Sequence, residues 1–235
     1  MDKKVALVTG ASQGLGREIA KQLTQKGYHV ILVARTEKLL AGVTSEITIA
    51  GGSAEYVILD ITKPEDIKSI IEKITRKNQI DILVNNAGVY YEDPTDNTSE
   101  EKLVKMFATN TLGTIRVTQA LLPQFKKLNS GQILNIISVA GIEASADWGL
   151  YASSKFALTG FTESLRRELS ATKIKVMGLY PEGIDTNIFR NAGYQEEPNQ
   201  KWMMKPADIA EVAVFMLMRP PDVNLSQIVV RKIEM

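Results

Sequence analysis

Seven short apolar runs punctuate the chain: KVALVT at 4–9, HVILVA at 29–34, AEYVIL at 54–59, DILVN at 81–85, QILNII at 132–137, KVMGLY at 175–180 and QIVVRK at 227–232. Being runs rather than strict alternations, they read as strands covered on both faces. The stretches between them carry helical spacing and helix punctuation. Gly27 closes the first helix, Thr62 with Glu65 and Thr98 with Glu101 have capping-box spacing for the third and fourth, and Pro206 suits the first turn of the last. Strand and helix in alternation predict an α/β fold: one doubly wound domain over residues 1–235, a seven-stranded parallel sheet with helices on both faces. Ligands of such sheets bind beyond the carboxyl ends of the strands.

Composition narrows the classes of function. With 44% hydrophobic and 23% charged residues in 235, the chain has the makings of an ordinary globular core. Twenty-eight basic residues against 27 acidic ones leave a formal net charge of +1, which gives no global field toward nucleic acid or an anionic membrane. The absence of cysteine excludes disulfides, thiolate catalysis and thiolate-bound zinc, and the single histidine, His29, reads as the start of a strand. The run Val5 to Val8 is too short for a secretory signal, and no apolar run approaches the ~18 residues that span a bilayer. The expectation is a cytoplasmic protein without a metal, acting on neither nucleic acid nor membrane.

The first segment after a strand is TGASQGLG, residues 9–16, leading directly into a helix. Gly10, Gly14 and Gly16 permit a sharp turn and let a diphosphate reach the free N–H groups of the helix N-terminus, with Ser12, Gln13 and Leu15 between them. The spacing is GxxxGxG, and no Gly-Lys-Ser/Thr follows, so this is a Rossmann-like dinucleotide cradle rather than a P-loop. At the end of the second strand, where an acidic residue would hold the ribose 2′-hydroxyl of NAD, stand Ala34 and Arg35. A guanidinium grips a 2′-phosphate, so NADP(H) is preferred over NAD(H), the plainer alternative being that Arg35 is a solvated helix start.

Together with NNAG at 85–88, Asn110 in NTLG, Ser138 in IISVAG and YASSK at 151–155, the glycine loop resembles the short-chain dehydrogenase/reductase family, its shorter soluble branch, over nearly the whole chain. The resemblance implies that Tyr151 transfers a proton, Lys155 lowers its pKa and binds the nicotinamide ribose, and Ser138 orients the substrate oxygen. It also implies that Asn110 holds a water in a relay ending at Lys155. Asp60, followed by Ile61, matches the residue that accepts a hydrogen bond from adenine, and Asn86, Ala87 and Gly88 would lie near the adenine ribose. Taken singly, Asp60 is as well read as a turn residue.

The chemistry is arguable without the family. A carbonyl accepting a hydride develops negative charge on oxygen and needs a proton donor beside it. A tyrosine with an ordinary pKa of about 10 is helped by an ammonium one helical turn away, which is the spacing of Tyr151 and Lys155. An exposed helix face is the alternative reading of that pair. After the sixth strand, YPEGIDTN at 180–187 keeps Pro181 and Thr186 in the family's register but has Glu182 where glycine is usual, with Gly183 and Ile184 following. An unpaired buried carboxylate is costly, so Glu182 is expected to point away from the cofactor.

The segment 184–205 is long and rich in large side chains, among them Phe189, Tyr194 and Trp202, and reads either as a substrate lid, working with Tyr90, Tyr91, Ile142 and Trp148, or as internal packing. The small residues Ser153, Ala157, Gly160 and Ser164 form a helical stripe that suits either a homodimer or homotetramer contact or packing on the chain's own sheet. The expected activity is NADP(H)-dependent interconversion of a small-molecule ketone or aldehyde with its alcohol: a 3-oxoacyl reductase, a hydroxy-acid dehydrogenase or a general carbonyl reductase. The rival is a non-catalytic NADP(H)-sensing protein of the same fold.

Overall fold

The computed structural model describes residues 3–193 and 200–233. All seven expected strands form, as β1 (Val5–Thr9), β2 (His29–Ala34), β3 (Ser53–Ile58), β4 (Ile80–Asn85), β5 (Gly131–Ile136), β6 (Ile174–Pro181) and β7 (Gln227–Val230). They make one all-parallel sheet in the order β3-β2-β1-β4-β5-β6-β7. The chain moves outward from β1 to β3 and then crosses back to β4, so the order reverses between β1 and β4. The glycine loop follows one of these strands and Asn86–Gly88 the other.

Alternate residues of the central strands point to opposite faces and build two cores. Ala6, Val8, Val30 and Leu32 pack against Ile19 and Leu23 of α1 (Gly14–Gln25), Leu40 and Ile47 of α2 (Glu37–Ile49) and Ala213 of α8 (Pro206–Leu217). Leu7, Ile31 and Leu83 pack on the other side against Ile71 of α3 (Pro64–Lys77), Leu121 and Phe125 of α5 (Thr114–Leu128) and Leu165 of α6 (Gly149–Glu168). Each such aliphatic or aromatic side chain contributes about 1.5–3 kcal/mol by leaving water. The expectation of two covered faces fails at β3 and β7, whose residues are all half-buried or exposed. They are the edges of the sheet and have less to cover them.

A buried polar chain ties the second core to the site. Asn85 Nδ2 donates to Asn135 Oδ1 at 2.8 Å and to Thr118 Oγ1 at 3.0 Å, and Asn135 Nδ2 donates to Thr162 Oγ1 at 2.8 Å. This locks β4 to β5 and both to α5 and α6, because a buried amide left unpaired costs more than a paired one gains. Helix punctuation is partly as expected: Gly27 has φ 87° just past α1, and Pro206 opens α8. Neither capping box forms. Thr62 instead bonds Asp60, with Pro64 fixing the first turn of α3, and Ser99 rather than Thr98 caps α4 (Glu100–Phe107), accepting from Lys102 N at 3.3 Å. Among the described residues no helix is long and apolar enough to cross a membrane. The stripe at Ser153, Ala157, Gly160 and Ser164 faces outward rather than onto the chain's own sheet.

Candidate active site

One cavity of about 890 Å³ runs along the carboxyl ends of the strands. Every residue expected from the sequence in catalysis or cofactor binding lines it except Gly16 and Asn110, which stand directly behind its wall, and of the expected lid partners Tyr90, Tyr91 and Trp148 line it while Ile142 does not.

At the head of α1, Gln13 is extended and provides no side-chain cap, so the first helical N–H groups face the cavity free of a capping side chain. That arrangement, with the dipole behind it, could hold a diphosphate. Gly10 and Gly14 have φ of 64° and 55°, conformations that cost other residues energy. Gly16 is fixed by space: a Cβ there would lie 2.4 Å from both Asn86 Nδ2 and Gly10 O. Asn86 therefore serves the loop more directly than expected, donating from Nδ2 to Thr9 O at 3.0 Å and Gly10 O at 3.2 Å. Thr9 was missed by sequence reasoning, yet its Oγ1 accepts from Asn86 N at 3.0 Å and Ala87 N at 3.2 Å. Its place at the end of β1, directly before the loop, was the available signal. Gly16→Ala is expected to destabilise the fold by about 2 kcal/mol through overpacking, whereas Gly42→Ala, in α2 with no atom within 4 Å of the new Cβ, should stabilise it by about 0.5–1 kcal/mol. Chemical denaturation of the two variants measures the contrast.

Asp60 takes the turn role, its Oδ1 accepting from Thr62 N at 2.9 Å and Thr62 Oγ1 at 2.8 Å, while the residue still lines the cavity. Arg35 is exposed at the same end and has no ion-pair partner among the described residues. Nearby, the hydroxyl of Thr109 is buried without a hydrogen-bond partner within the described protein, and Thr109 also lines the cavity. No sequence signal marked it.

The other end holds the reactive groups. Tyr151 and Lys155 share the inward face of α6 and are 8% and 6% exposed, which rules out the reading as a wetted helix face. Lys155 Nζ lies 5.6 Å from the Tyr151 ring centroid and donates to Ile136 O at 3.4 Å. Ser138 lies beside the Tyr151 hydroxyl, close enough to act on its titration. Ser138 follows β5 with φ 125° and ψ 156°, a region nearly reserved for glycine. The turn it opens is pressed against α6, where Thr159 Oγ1 donates to Gly141 O at 2.9 Å. Strain at Ser138 is thus held by packing from both sides.

Electrostatics differ from the sequence expectation. Burial is the leading influence on both groups, pushing the Tyr151 phenol up to about 12, only partly offset by the Ser138 hydrogen bond, and Lys155 down to about 8. The ammonium is itself desolvated, and the lowering of the phenol by Lys155 expected from their spacing is not what governs here.

Asn110 is fully buried in a wide π-type turn, Ala108–Gly113, between α4 and α5. Such turns are frequent at functional sites, and nothing in the helical pattern announced this one. Its Oδ1 accepts from Val89 N at 2.8 Å, and its Nδ2 lies within hydrogen-bond reach of Val89 O at 2.9 Å and Ser154 Oγ at 3.1 Å. The side chain thereby fastens the segment after β4 to α6, just behind Gly88.

Glu182 turns to the C-terminal segment, accepting from Lys232 N at 3.0 Å and lying 3.6 Å from Arg231, whose guanidinium makes a two-pronged pair with Glu143 at 2.8 Å. The segment after β7 thus reaches the cavity mouth. The described part of the 184–205 segment divides between core and cavity. Met204 joins the core and bridges to Ile184, whereas Phe189 of α7 (Ile188–Asn191) and Trp202 line the cavity. Tyr194 lies outside the described residues.

A doubly wound sheet with a glycine-rich cradle at the reversal point, facing a buried Ser–Tyr–Lys set, defines a dinucleotide-fold oxidoreductase class. The model of the short chain dehydrogenase family matches residues 4–197, and an uncharacterized oxidoreductase of Staphylococcus saprophyticus is 34% identical over 235 residues, 99% of each chain. The chain belongs to the short-chain dehydrogenase family. An alcohol dehydrogenase from the archaeon Thermococcus sibiricus, complexed with 5-hydroxy-NADP, superimposes with a TM-score of 0.91 at 29% identity, covering 99% of this chain and 97% of that one. A serine dehydrogenase from Escherichia coli gives a TM-score of 0.84 at 28% identity, with 96% of each chain covered.

Proposed function

We propose that the protein is an NADP(H)-dependent reductase that interconverts a ketone or aldehyde with the corresponding alcohol. The observation that carries this reading is the buried Tyr151, beside Ser138 and one helical turn from Lys155, in the same cavity as the uncapped head of α1. When bound, the dinucleotide supplies the hydride. The Ser138 and Tyr151 hydroxyls would hold the substrate oxygen, and Tyr151 would pass its proton to that oxygen as negative charge grows there. Lys155 would steady the tyrosinate left behind and bond the nicotinamide ribose, with Asn110 holding α6 and the segment after β4 in register. The 184–205 segment would act as the lid that keeps water from the reacting groups.

Following NADPH absorbance with a panel of ketones and aldehydes tests the reading. Turnover supports it, and tight NADPH binding with no turnover on any compound would favour the sensor alternative. The NADP preference rests on Arg35, an unpaired guanidinium at the far end of the cavity, and is supported by the 5-hydroxy-NADP of the archaeal relative. Arg35→Ala is expected to raise the Kd for NADPH by about tenfold or more, the worth of one charge-assisted hydrogen bond, while leaving that for NADH within a factor of about two. Fluorescence titration with the two cofactors reads both values.

A further inference from the structure

The departure from the family pattern at Glu182-Gly183 has a structural partner in Trp202. A Cβ placed on Gly183 would lie 2.0 Å from Trp202 Cζ3 and 2.5 Å from Cε3, so the indole occupies the space that any other residue's side chain would take. The backbone holds it there. Met204 N donates to Gly183 O at 2.8 Å, Asp185 N donates to Met204 O at 2.9 Å, and Met203 N closes a turn onto Gln200 O at 2.9 Å. Trp202, 41% exposed, thus stands as a wall over Gly183 with its neighbouring backbone held in place.

From this wall a row of aromatic rings leads to the reactive phenol. Trp202 meets Phe189 edge-on at 5.6 Å, Phe189 meets Tyr90 at 4.9 Å, and Tyr90 meets Tyr151 at 4.8 Å, with Trp148 on the other side of Tyr151 at 6.5 Å. Among the charged groups beside the row, Glu92 accepts the Tyr90 hydroxyl, Glu182 accepts from Lys232 N and lies 3.6 Å from Arg231, and Lys105, which also lines the cavity, lies 5.6 Å from the Tyr91 ring. An aromatic lining favours a flat ligand, since edge and face contacts between rings add to simple burial.

Resting on the carbonyl-reduction reading, we propose that the substrate is a carbonyl compound bearing an aromatic or conjugated ring, and that Trp202, seated on Gly183, is the residue that selects it. The chemistry is the hydride and proton transfer given above, with NADPH oxidised as the C=O is reduced to CH–OH.

Two probes of similar size separate the possibilities: acetophenone and its saturated counterpart cyclohexyl methyl ketone. The expected result is a preference in kcat/KM for acetophenone of about three- to tenfold, the worth of one aromatic contact. Trp202→Ala should erase the preference through KM with little change in kcat, and Trp202→Phe should restore most of it. No preference for acetophenone, or one untouched in Trp202→Ala, would overturn the assignment. Binding separates this from failure of the carbonyl reading. In Trp148→Phe, Trp202 is the sole tryptophan, the chain having two. Should no compound turn over, the reductase reading fails, while quenching of that fluorophore by acetophenone and not by the saturated ketone would still support the selective wall. Equal or absent quenching would refute it.

Discussion

Tyr151→Phe lowers kcat for carbonyl reduction by about 10²–10⁴-fold, the usual worth of a positioned proton donor, and leaves NADPH binding within a factor of about two. The substitution is nearly isosteric at a position 8% exposed, so the fold and the aromatic contacts of the ring with Tyr90 and Trp148 survive. What is lost is the hydroxyl beside Ser138. Steady-state kinetics alongside fluorescence titration of NADPH separate the two quantities. Retained turnover would place the proton transfer elsewhere and undo the proposed mechanism. With burial holding the phenol near 12 in the free protein, the protonated form needed for reduction persists across the whole working range, whereas alcohol oxidation, which needs the phenolate, should rise with pH.

Lys155→Met is expected to do two opposite things: reduce turnover by about 10²-fold or more, and make the protein more stable. Burial pushes Lys155 down to about 8 from an ordinary value of 10.5, so at neutral pH the fold carries an ammonium it would hold more cheaply if neutral. The difference corresponds to about 3 kcal/mol, and surrendering the hydrogen bond to Ile136 O leaves a net gain of about 2 kcal/mol at pH 7, or about 4–8 °C in Tm. Between pH ~8 and ~10.5 the unfolded chain binds more protons at this site than the folded one, so the wild-type protein gains stability as pH rises through that window. Above ~10 the buried Tyr151 works the other way, because the folded state keeps its proton up to about 12. Lys155→Met should lose the first limb and keep the second. Denaturant unfolding from pH 7 to 10 measures the slope, and a variant no more stable than the parent would mean the lysine is better solvated than its burial indicates.

The cavity explains why evolution would tolerate such a cost. An ammonium beneath the tyrosine ring and a serine at φ 125° are each unfavourable where they stand, and both are held by α6 and by the turn Ser138–Gly141 pressed against it. Stored strain and a desolvated charge at the same place are features of a site built to act on a ligand.

Much of this was legible in the linear chain. The seven apolar runs became the seven strands within a residue or two, because a strand buried under helices tolerates little besides apolar side chains. The glycine loop and the Tyr151–Lys155 spacing were equally plain, since each depends on local geometry: a turn needs positive φ, and four residues make one helical turn. Only the assembled molecule decided the rest. Asn86, expected at the adenine ribose, also bonds the carbonyls of Thr9 and Gly10, and Thr9 holds the two strand ends together, contacts made across 76 to 78 residues of chain. The partner of Gly183 is Trp202, nineteen positions on, and no local pattern joins them. The order of the strands, the exposure of β3 and β7, and the sign of the Tyr151 shift likewise follow from what is stacked on what. Periodicity and dihedral preference act over a few residues and can be read from the chain. Desolvation and close packing depend on neighbours that folding alone brings together.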